Sequence, residues 1–181
     1  MKQTMKLAAL SEPAVRHWFD LFRSHLPENA SILGKIVQLD EAFFRGKALM
    51  LAKEQGTRNV AYKILNTTAV SKWHACYFLE QHVKPGSTIR TDGGGHYKAI
   101  DRWWPITHEH EVHSRWEFEL TSEIEGMFGN FRTFVRRMYH HVTPDKLPEF
   151  VREFCVRFSL PEMFENTRNY LEKTLSLVPL D

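Results

Sequence analysis

The stretch Ile36-Val37-Gln38-Leu39-Asp40-Glu41-Ala42-Phe43-Phe44 decides the fold of this chain. Its apolar residues are almost continuous, which is typical of a strand buried on both faces of a sheet. Asp40 interrupts the stretch, and a buried carboxylate is destabilising unless it is paired or binds a metal ion. A simpler interpretation is a strand-end aspartate that caps a turn, because Arg45-Gly46-Lys47 resembles a loop. The stretch therefore predicts a buried strand that carries a candidate functional acid.

Hydrophobic periodicity on either side of this strand predicts alternating strands and helices. A first helix is predicted over 11–26, with Ser11 as its cap and Pro13 in its first turn. The predicted strands are 36–44, 47–53, 59–65, 88–91 and 108–113, and the other predicted helices are 69–82, 97–103, 121–138, 144–158 and 161–176. A hairpin followed by helix-linked strands favours an α/β fold with a five-stranded mixed sheet flanked by helices. The right-handed crossover rule puts the strands of Asp40 and Asp92 side by side.

Asp92 is the second candidate acid, and it follows a short apolar strand in Thr91-Asp92-Gly93-Gly94-Gly95-His96. Asp-Gly is a common turn pair, so a structural role is the alternative. Three successive glycines exceed what a turn needs, and they would let the backbone approach a phosphate group closely. We therefore expect Asp92 and the backbone of Gly93 and Gly94 to lie in a functional cleft.

Glu125 is the third candidate acid, and it lies in a predicted helix that contains several arginines. It stands beside an apolar stripe of Ile124, Met127, Phe128, Phe131, Val135 and Met138. Arg132 follows on nearly the same side of the helix, Arg136 continues that side, and Arg137 adds a further charge. This arrangement suits metal binding combined with phosphate contacts, although a solvated surface helix would show the same pattern. Glu123 lies on a different side of the predicted helix from Glu125, so it could not share the role of third acid unless the helix begins later than predicted.

Composition restricts the remaining possibilities. With 181 residues, of which 43% are hydrophobic and 13% aromatic, the chain can form one packed domain. Cys76 and Cys155 form no CxxC motif and the histidines form no HExxH motif, which argues against a zinc site. Among the histidines, we expect His113 to lie nearest the cleft. The sequence shows no signal-peptide core and no apolar stretch approaching about 18 residues, so we expect a cytoplasmic protein without a membrane partner.

Residues 37–47, the Thr91-Asp92-Gly93 turn with Tyr97, and Ile124-Glu125-Gly126-Met127-Phe128 occur in an order that resembles a known family. These motifs resemble those of the DDE transposases of bacterial insertion sequences, and within that family they resemble the ISXO-like class. The segment 139–144 with Leu147, followed by 153–154 and 157–158, is similar to the carboxyl-terminal signature of that class. The resemblance covers about residues 34–159.

This resemblance implies a ribonuclease H-like fold and metal-dependent cleavage and strand transfer of DNA. Asp40, Asp92 and Glu125 would be the catalytic, metal-binding triad for two Mg²⁺ or Mn²⁺ ions. The implied partners are DNA, at transposon ends and target, and further copies of the chain on that DNA, in a bacterial cytoplasm at the nucleoid. The expected DNA contacts come from Arg132, Arg136, Arg137, Lys47, Gly93 and Gly94.

The chain departs from the family pattern in several places. Arg132 replaces the usual lysine, Ser122 the usual asparagine and Phe128 the usual tryptophan. Family members usually begin with a cysteine-rich zinc ribbon and a helix-turn-helix, whereas no cysteine precedes Cys76 here. We therefore divide the chain into a helical segment 1–33, which would be a remnant of a DNA-binding module, a catalytic core 34–160 and a carboxyl-terminal helix 161–181.

Two other functions stay open from the sequence. The chain would be a non-catalytic DNA-binding remnant of a transposase if the missing amino-terminal module reflects loss of activity. It would be a ribonuclease H-type nuclease or junction resolvase if a fourth carboxylate joined the triad. Glu149 and Glu153 are the candidates for that fourth position.

Overall fold

The computed structural model describes residues 2–28, 31–110, 120–139 and 143–175. Its helices are α1 Lys2–Ala8, α2 Glu12–Ser24, α3 Lys72–His82, α4 Ser122–Tyr139, α5 Leu147–Ser159 and α6 Thr167–Leu175. Its strands are β1 Ile36–Phe44, β2 Lys47–Glu54, β3 Val60–Leu65, β4 Thr88–Thr91 and β5 Thr107–His110. Short 3₁₀ turns span Gly95–Tyr97, Ile100–Arg102 and Pro161–Phe164.

The five strands form one mixed sheet in the order β3-β2-β1-β4-β5. β1 pairs antiparallel with β2, and β2 pairs antiparallel with β3. On its other edge β1 pairs parallel with β4, which in turn pairs parallel with β5. Arg45 and Gly46 close the β1–β2 hairpin with φ angles of 44° and 89°, the left-handed conformation that a two-residue turn requires. The predicted five-stranded mixed sheet flanked by helices is confirmed.

Each face of the sheet has its own hydrophobic cluster. One face carries Val37 and Leu39 of β1 and packs against α3 through Ala75, Cys76, Phe78 and Leu79. The opposite face carries Ala42 of β1 with Leu49 and Leu51 of β2, and packs against α4 and α5 through Ile124, Met127, Phe128, Phe131, Val151 and Phe154. Successive residues of β1 therefore contact different helices, as the period of two requires. The predicted stripe of α4 ends before Met138, which is 55% exposed.

Several predicted elements differ in the structure. Helix α1 was not predicted at all. The helix predicted over 97–103 is replaced by parts of two 3₁₀ turns. A continuous helix cannot form here because Ala99 has a left-handed φ of 55°. The helix predicted over 161–176 begins only at Thr167, where the Asn166 side chain accepts a hydrogen bond from the Asn169 backbone N–H at 2.9 Å. Strand β5 is described as far as His110, and the rest of the strand predicted over 108–113 lies outside the described residues.

The two ends of the described chain meet on α5. Leu26, Val156 and Met163 form a small buried cluster, against which Phe164 and Tyr170 pack. Phe22 of α2 contacts Tyr170 with ring centroids 5.9 Å apart, whereas Trp18 and Phe19 are 47% and 38% exposed. The predicted division at 33/34 and 160/161 stays a prediction. No helix in the described ranges is both long and apolar enough to cross a membrane.

Candidate active site

Asp40 lies within β1, on the face that packs against α4 and α5. Alternation along the strand places Gln38, Asp40 and Ala42 on this face, and Ala42 belongs to the cluster that contains the α4 residues. The backbone N–H of Glu41 donates to Asp40 Oδ1 at 2.7 Å. Asp40 is therefore a partly buried carboxylate between the sheet and α4.

Asp92 follows the last residue of β4, the strand next to β1. In the parallel register Gln38 is opposite Arg90, and two further residues on each strand bring Asp40 level with Asp92. The Gly94 backbone N–H donates to Asp92 Oδ1 at 3.1 Å. A Cβ atom at Gly94 would come within 2.9 Å of both Asp92 Oδ1 and His96 Cε1, so a larger residue here would displace these two side chains. Gly94 thus holds the Asp92 carboxylate in place.

Glu125 lies in the first turn of α4, and Gln38 fixes that turn to the sheet. The buried Gln38 side chain accepts a hydrogen bond from the Ile124 backbone N–H through Oε1 at 2.9 Å. Thr121 Oγ1 donates to Glu125 Oε1 at 3.1 Å. Because Gln38 is two residues before Asp40 and Ile124 is one before Glu125, a single hydrogen bond links the two elements that carry these acids.

The three predicted acids act on one another electrostatically. Burial raises the pKa of Asp40 to about 7, against the lowering effect of the Glu41 backbone hydrogen bond. The negative charges of Glu41, Asp92 and Glu125 contribute to this raised pKa of Asp40. In the described ranges no cationic side chain forms an ion pair with Asp40, Asp92 or Glu125. The three acids therefore occupy one neighbourhood with uncompensated negative charge.

The side chains, as they stand, do not close around an ion. Among the described residues no group of three or more His, Cys, Asp or Glu side chains is arranged to hold a metal. Binding of a cation would therefore require side-chain rearrangement of the acids.

Glu123 is oriented differently from Glu125. It forms an ion pair with Lys53 of β2 and accepts hydrogen bonds from the Gly56 backbone N–H at 3.3 Å. The hydrogen bond from Lys53 lowers the pKa of Glu123. Glu125, and not Glu123, is among the main groups that raise the pKa of Asp40. Glu123 is therefore paired with the sheet through Lys53, whereas the charge of Glu125 acts on Asp40.

A cluster that the sequence interpretation missed lies on the other face of β1. Glu41 Oε2 accepts from Tyr97 Oη at 2.5 Å and is 3.1 Å from His96 Nε2. Burial acts to raise the pKa of Glu41, but the hydrogen bonds from His96 and Tyr97 outweigh it and lower this pKa. The hydrogen bond to Glu41 raises the pKa of His96. Alternation along β1 was the available signal, since it points Glu41 away from Asp40 and towards the turn after Asp92.

The predicted DNA contacts divide into exposed and occupied groups. Arg132, Arg136 and Arg137 are exposed on α4, and none of them forms an ion pair within the described part of the chain. Lys47 begins β2 and is half-buried, and Gly93 is exposed. The Gly94 N–H is already bonded to Asp92, so it is occupied within the protein.

The other candidates lie away from the three acids or outside the described residues. Glu153 is buried and bonded to Arg23, Arg157 and Tyr139, and Glu149 pairs with Lys146 at 2.8 Å. Because two arginines neutralise Glu153, it is not available as a fourth metal ligand. His113, His140 and His141 fall outside the described residues.

Two solved structures have folds similar to that of this chain. The catalytic core domain of BIV integrase in crystal form I is 10% identical to the chain with a TM-score of 0.51, and the match covers 68% of this chain and 82% of that one. A chain of the simian T-cell lymphotropic virus intasome in complex with PP2A regulatory subunit B56 gamma is 13% identical, with a TM-score of 0.49. That match covers 70% of this chain and 49% of the other, so our chain spans about half its length. The integrase core and the strand order identify a ribonuclease H-like fold, as predicted.

The sequence comparison supplies the family. None of the curated proteins matches the chain. Residues 47–159, more than half of the sequence, match the family described as the ISXO2-like transposase domain. Asp92 and Glu125 lie inside the matched segment, and Asp40 lies on the strand that precedes it. The chain therefore belongs to the family of ISXO2-like transposase domains.

Proposed function

We propose that this chain catalyses metal-dependent cleavage and strand transfer of DNA, with Asp40, Asp92 and Glu125 as the catalytic acids. The observation that carries the proposal is the joint placement of these acids. They come from β1, the end of β4 and the first turn of α4, and the charges of Asp92 and Glu125 act on Asp40. Carboxylates that converge from separate elements can surround a pair of ions, which acids on a single strand or helix cannot do.

The donor set fits a hard divalent cation. All three side chains offer carboxylate oxygens, which are the ligands that Mg²⁺ and Mn²⁺ prefer. The uncompensated negative charge around Asp40 is the environment that a cation would stabilise. When bound, two such ions would activate the attacking oxygen and stabilise the leaving oxygen of a phosphodiester.

The remaining residues would position the acids and the DNA. Gly94 holds Asp92 through its N–H, and Gln38 holds the first turn of α4 against β1. The exposed arginines Arg132, Arg136 and Arg137 continue along α4 from Glu125, with Arg132 about 10 Å along the helix axis. Guanidinium groups bind phosphate through paired hydrogen bonds, so this helix would hold the DNA backbone beside the acids. Several copies of the chain would assemble on the two ends of an element.

The test compares Asp40→Asn, Asp92→Asn and Glu125→Gln with Glu123→Gln as the matched control on the same helix. Each of the first three should abolish nicking of supercoiled plasmid and joining of a duplex with an exposed 3′-OH in Mg²⁺ or Mn²⁺, because an amide keeps the shape and loses the charge. Glu123→Gln should stay active, since Glu123 pairs with Lys53. Calcium should support little reaction. Metal-dependent activity that survives all three substitutions would contradict the proposal.

A second function has one specific observation in its favour. The exposed arginines of α4 form no ion pair within the described residues, so they would serve equally a domain that binds DNA without catalysis. Inactivity of the unaltered chain on both intact and pre-cleaved ends, together with retained DNA binding, would support this second function. The pre-cleaved substrate separates failure to recognise an end from failure to catalyse.

A further inference from the structure

Three large aromatic side chains lie exposed on one side of α3, outside the site of the acids. Trp73, Tyr77 and Trp103 are 67%, 51% and 50% exposed. The rings of Trp73 and Trp103 contact each other at right angles, with centroids 4.8 Å apart and an interplanar angle of 84°. We call these three residues the aromatic patch. Single exposed aromatics are common, but a contiguous group of this kind marks an interaction surface.

The fold does not need these side chains for its core. Trp104, the next residue after Trp103, packs against the core on the α3 side and donates its Nε1–H to the Val83 carbonyl at 3.0 Å. Trp73 is likewise followed by the buried Ala75 and Cys76. The chain therefore partly buries Trp104 against the core and leaves its neighbour Trp103 exposed.

Positive charge surrounds the aromatic patch. Lys63 Nζ lies 3.7 Å from the centroid of the Tyr77 ring, in a cation–π contact. Lys72 and Arg102 are exposed, adjoin Trp73 and Trp103 in sequence, and form no ion pair within the described residues. The acidic neighbours are Glu80 and Asp101, and Asp101 acts on His108 by raising its pKa against the effects of burial and His110. The patch therefore combines aromatic rings with an excess of cations.

The patch lies at the same end of the sheet as the acids. Helix α3 connects β3 to β4, and both strands run parallel to β1, so α3 begins where β1 and β4 end. Trp73 is in this first turn of α3. The 3₁₀ turn Gly95–Tyr97, which directly follows Asp92, contacts α3. The patch and Asp92 thus flank the same turn.

We propose that the aromatic patch binds unpaired nucleotides of single-stranded DNA next to the candidate active site. Unpaired bases expose both faces for stacking on aromatic rings, whereas bases in a duplex are already stacked on each other. Cations beside the rings suit the phosphates that link those bases. The inference rests on the proposed function in one respect, that the substrate is DNA. A strand end that frays beside the acids supplies such nucleotides.

The test measures binding in EDTA, so that no cleavage occurs, by fluorescence anisotropy of a labelled oligothymidine and of a labelled duplex of equal length. Trp73→Ala and Trp103→Ala should each weaken binding of the single strand by about tenfold or more, which is the usual effect of removing one stacking ring. Binding of the duplex should stay within about twofold of the unaltered protein, since phosphate contacts elsewhere are intact. Trp73→Phe should restore most of the loss.

Trp18→Ala is the matched control, because Trp18 is a tryptophan exposed to a similar extent on α2, away from the patch. Equal affinity of the control and the patch variants for the single strand would overturn the inference. Equal losses for single strand and duplex would overturn it too, as would a change in self-association by Trp73→Ala, measured by sedimentation, without a change in DNA binding. The assay needs no metal, so it separates the two proposals. If the unaltered chain showed no catalysis but the patch variants still lost single-strand binding, the aromatic patch would be supported and the catalytic proposal rejected.

Discussion

Glu153 and Asp40 are both carboxylates shielded from water, but the charged groups around them have opposite signs. Arginines surround Glu153, whereas other carboxylates act on Asp40. Glu153 on α5 accepts hydrogen bonds from Arg23 Nε at 3.0 Å, Arg157 Nε at 3.0 Å and Tyr139 Oη at 2.6 Å. The side chains of Arg23 and Glu153 are only 12% and 8% exposed. Arg23 also lies 5.0 Å from the centroid of the Tyr139 ring and pairs with Asp20 at 2.8 Å. The negative charge of Glu153 is therefore fully compensated within the chain.

Asp40 has carboxylates as its neighbours instead. The charges of Glu41, Asp92 and Glu125 add to the effect of burial and raise the pKa of Asp40 to about 7. Helix α4 connects the two regions, because Glu125 lies near its beginning and Tyr139 is its last residue. A buried charge that is compensated joins elements of the fold, whereas charge that is left over is available for a ligand. In our proposal, this difference in charge distinguishes a structural acid, Glu153, from a catalytic one, Asp40.

The largest effect is expected at the compensated site. Glu153→Gln should lower the free energy of unfolding by about 3–5 kcal/mol, because it removes the ion-pair partner of Arg157 and leaves Arg23 with Asp20 alone. Glu172→Gln is the control, since its pair with Arg168 is exposed and should contribute about 1 kcal/mol or less. Urea denaturation at neutral pH measures both. A loss at Glu153 no larger than at Glu172 would mean that the buried cluster is not structural.

A smaller effect is expected at Gln38, the hydrogen-bond link between β1 and α4. Gln38→Met removes the acceptor of the Ile124 N–H and should lower the free energy of unfolding by about 1–3 kcal/mol, the usual effect of leaving a buried donor unpaired. Glu125 would then be held less firmly, so the Mg²⁺ concentration needed for half-maximal activity should rise. Gln38→Glu keeps an acceptor and loses Nε2, which has no hydrogen-bond partner in the described structure. At pH 5, where a buried carboxyl group can keep its proton, this variant should retain more stability than Gln38→Met, and the opposite order would reject a positioning role.

Much of this architecture could be predicted from the sequence, for a physical reason. Apolar runs such as 36–44 and 47–53 predict central strands of a sheet, because a strand buried on both faces needs neighbouring strands on both edges. The sequence singled out Asp40 because it interrupts such a run, Asp92 because three glycines follow it, and Glu125 because it stands beside the apolar stripe of its helix. The split of 97–103 into two turns was missed, since a left-handed residue such as Ala99 leaves no compositional signal.

The missed clusters share a different cause. Arg23 and Glu153 are 130 positions apart in the chain, so no local pattern relates them. Glu41, His96 and Tyr97 come together only when β1 and β4 are paired, and then alternation alone assigns Glu41 to the α3 face. Local periodicity determines which face a residue occupies, while the partner across the interior depends on the packing of whole elements.

Substitution of Asp40 should change stability in the direction opposite to substitution of Glu153. The folded protein keeps a proton on Asp40 that the unfolded chain loses, because the folded pKa is about 7 and the ordinary value is 3.8. The free energy of unfolding therefore falls as pH rises from about 4 to about 7, and the loss persists above 7. Asp40→Asn removes this loss, so it should raise the melting temperature of the metal-free protein by a few degrees at pH 8 and by less at pH 5.

Magnesium sharpens this measurement. Added Mg²⁺ should raise the melting temperature of the unaltered chain, since a ligand that binds the folded state stabilises it, and should have little effect on Asp40→Asn. Glu80→Gln is the control, because Glu80 is exposed on α3 and its substitution should leave the responses to pH and Mg²⁺ equal to those of the unaltered chain. A melting temperature of Asp40→Asn that is equal to or below that of the unaltered chain at pH 8 would show that Asp40 is compensated after all.

The smallest effect is expected at the arginines of α4, the positive counterpart of the uncompensated acids. Arg136 is exposed and forms no ion pair within the described residues, so its charge is available for a phosphate. Arg136→Ala should weaken duplex binding about equally for all sequences and reduce the slope of log K against log salt concentration by about one unit. Arg16→Ala is the matched control, since Arg16 already pairs with Glu12 at 2.6 Å. An unchanged slope in Arg136→Ala, or an equal reduction in Arg16→Ala, would mean that the unpaired arginines of α4 form only a solvated surface. The lack of an ion-pair partner within the protein would then not by itself identify a binding residue.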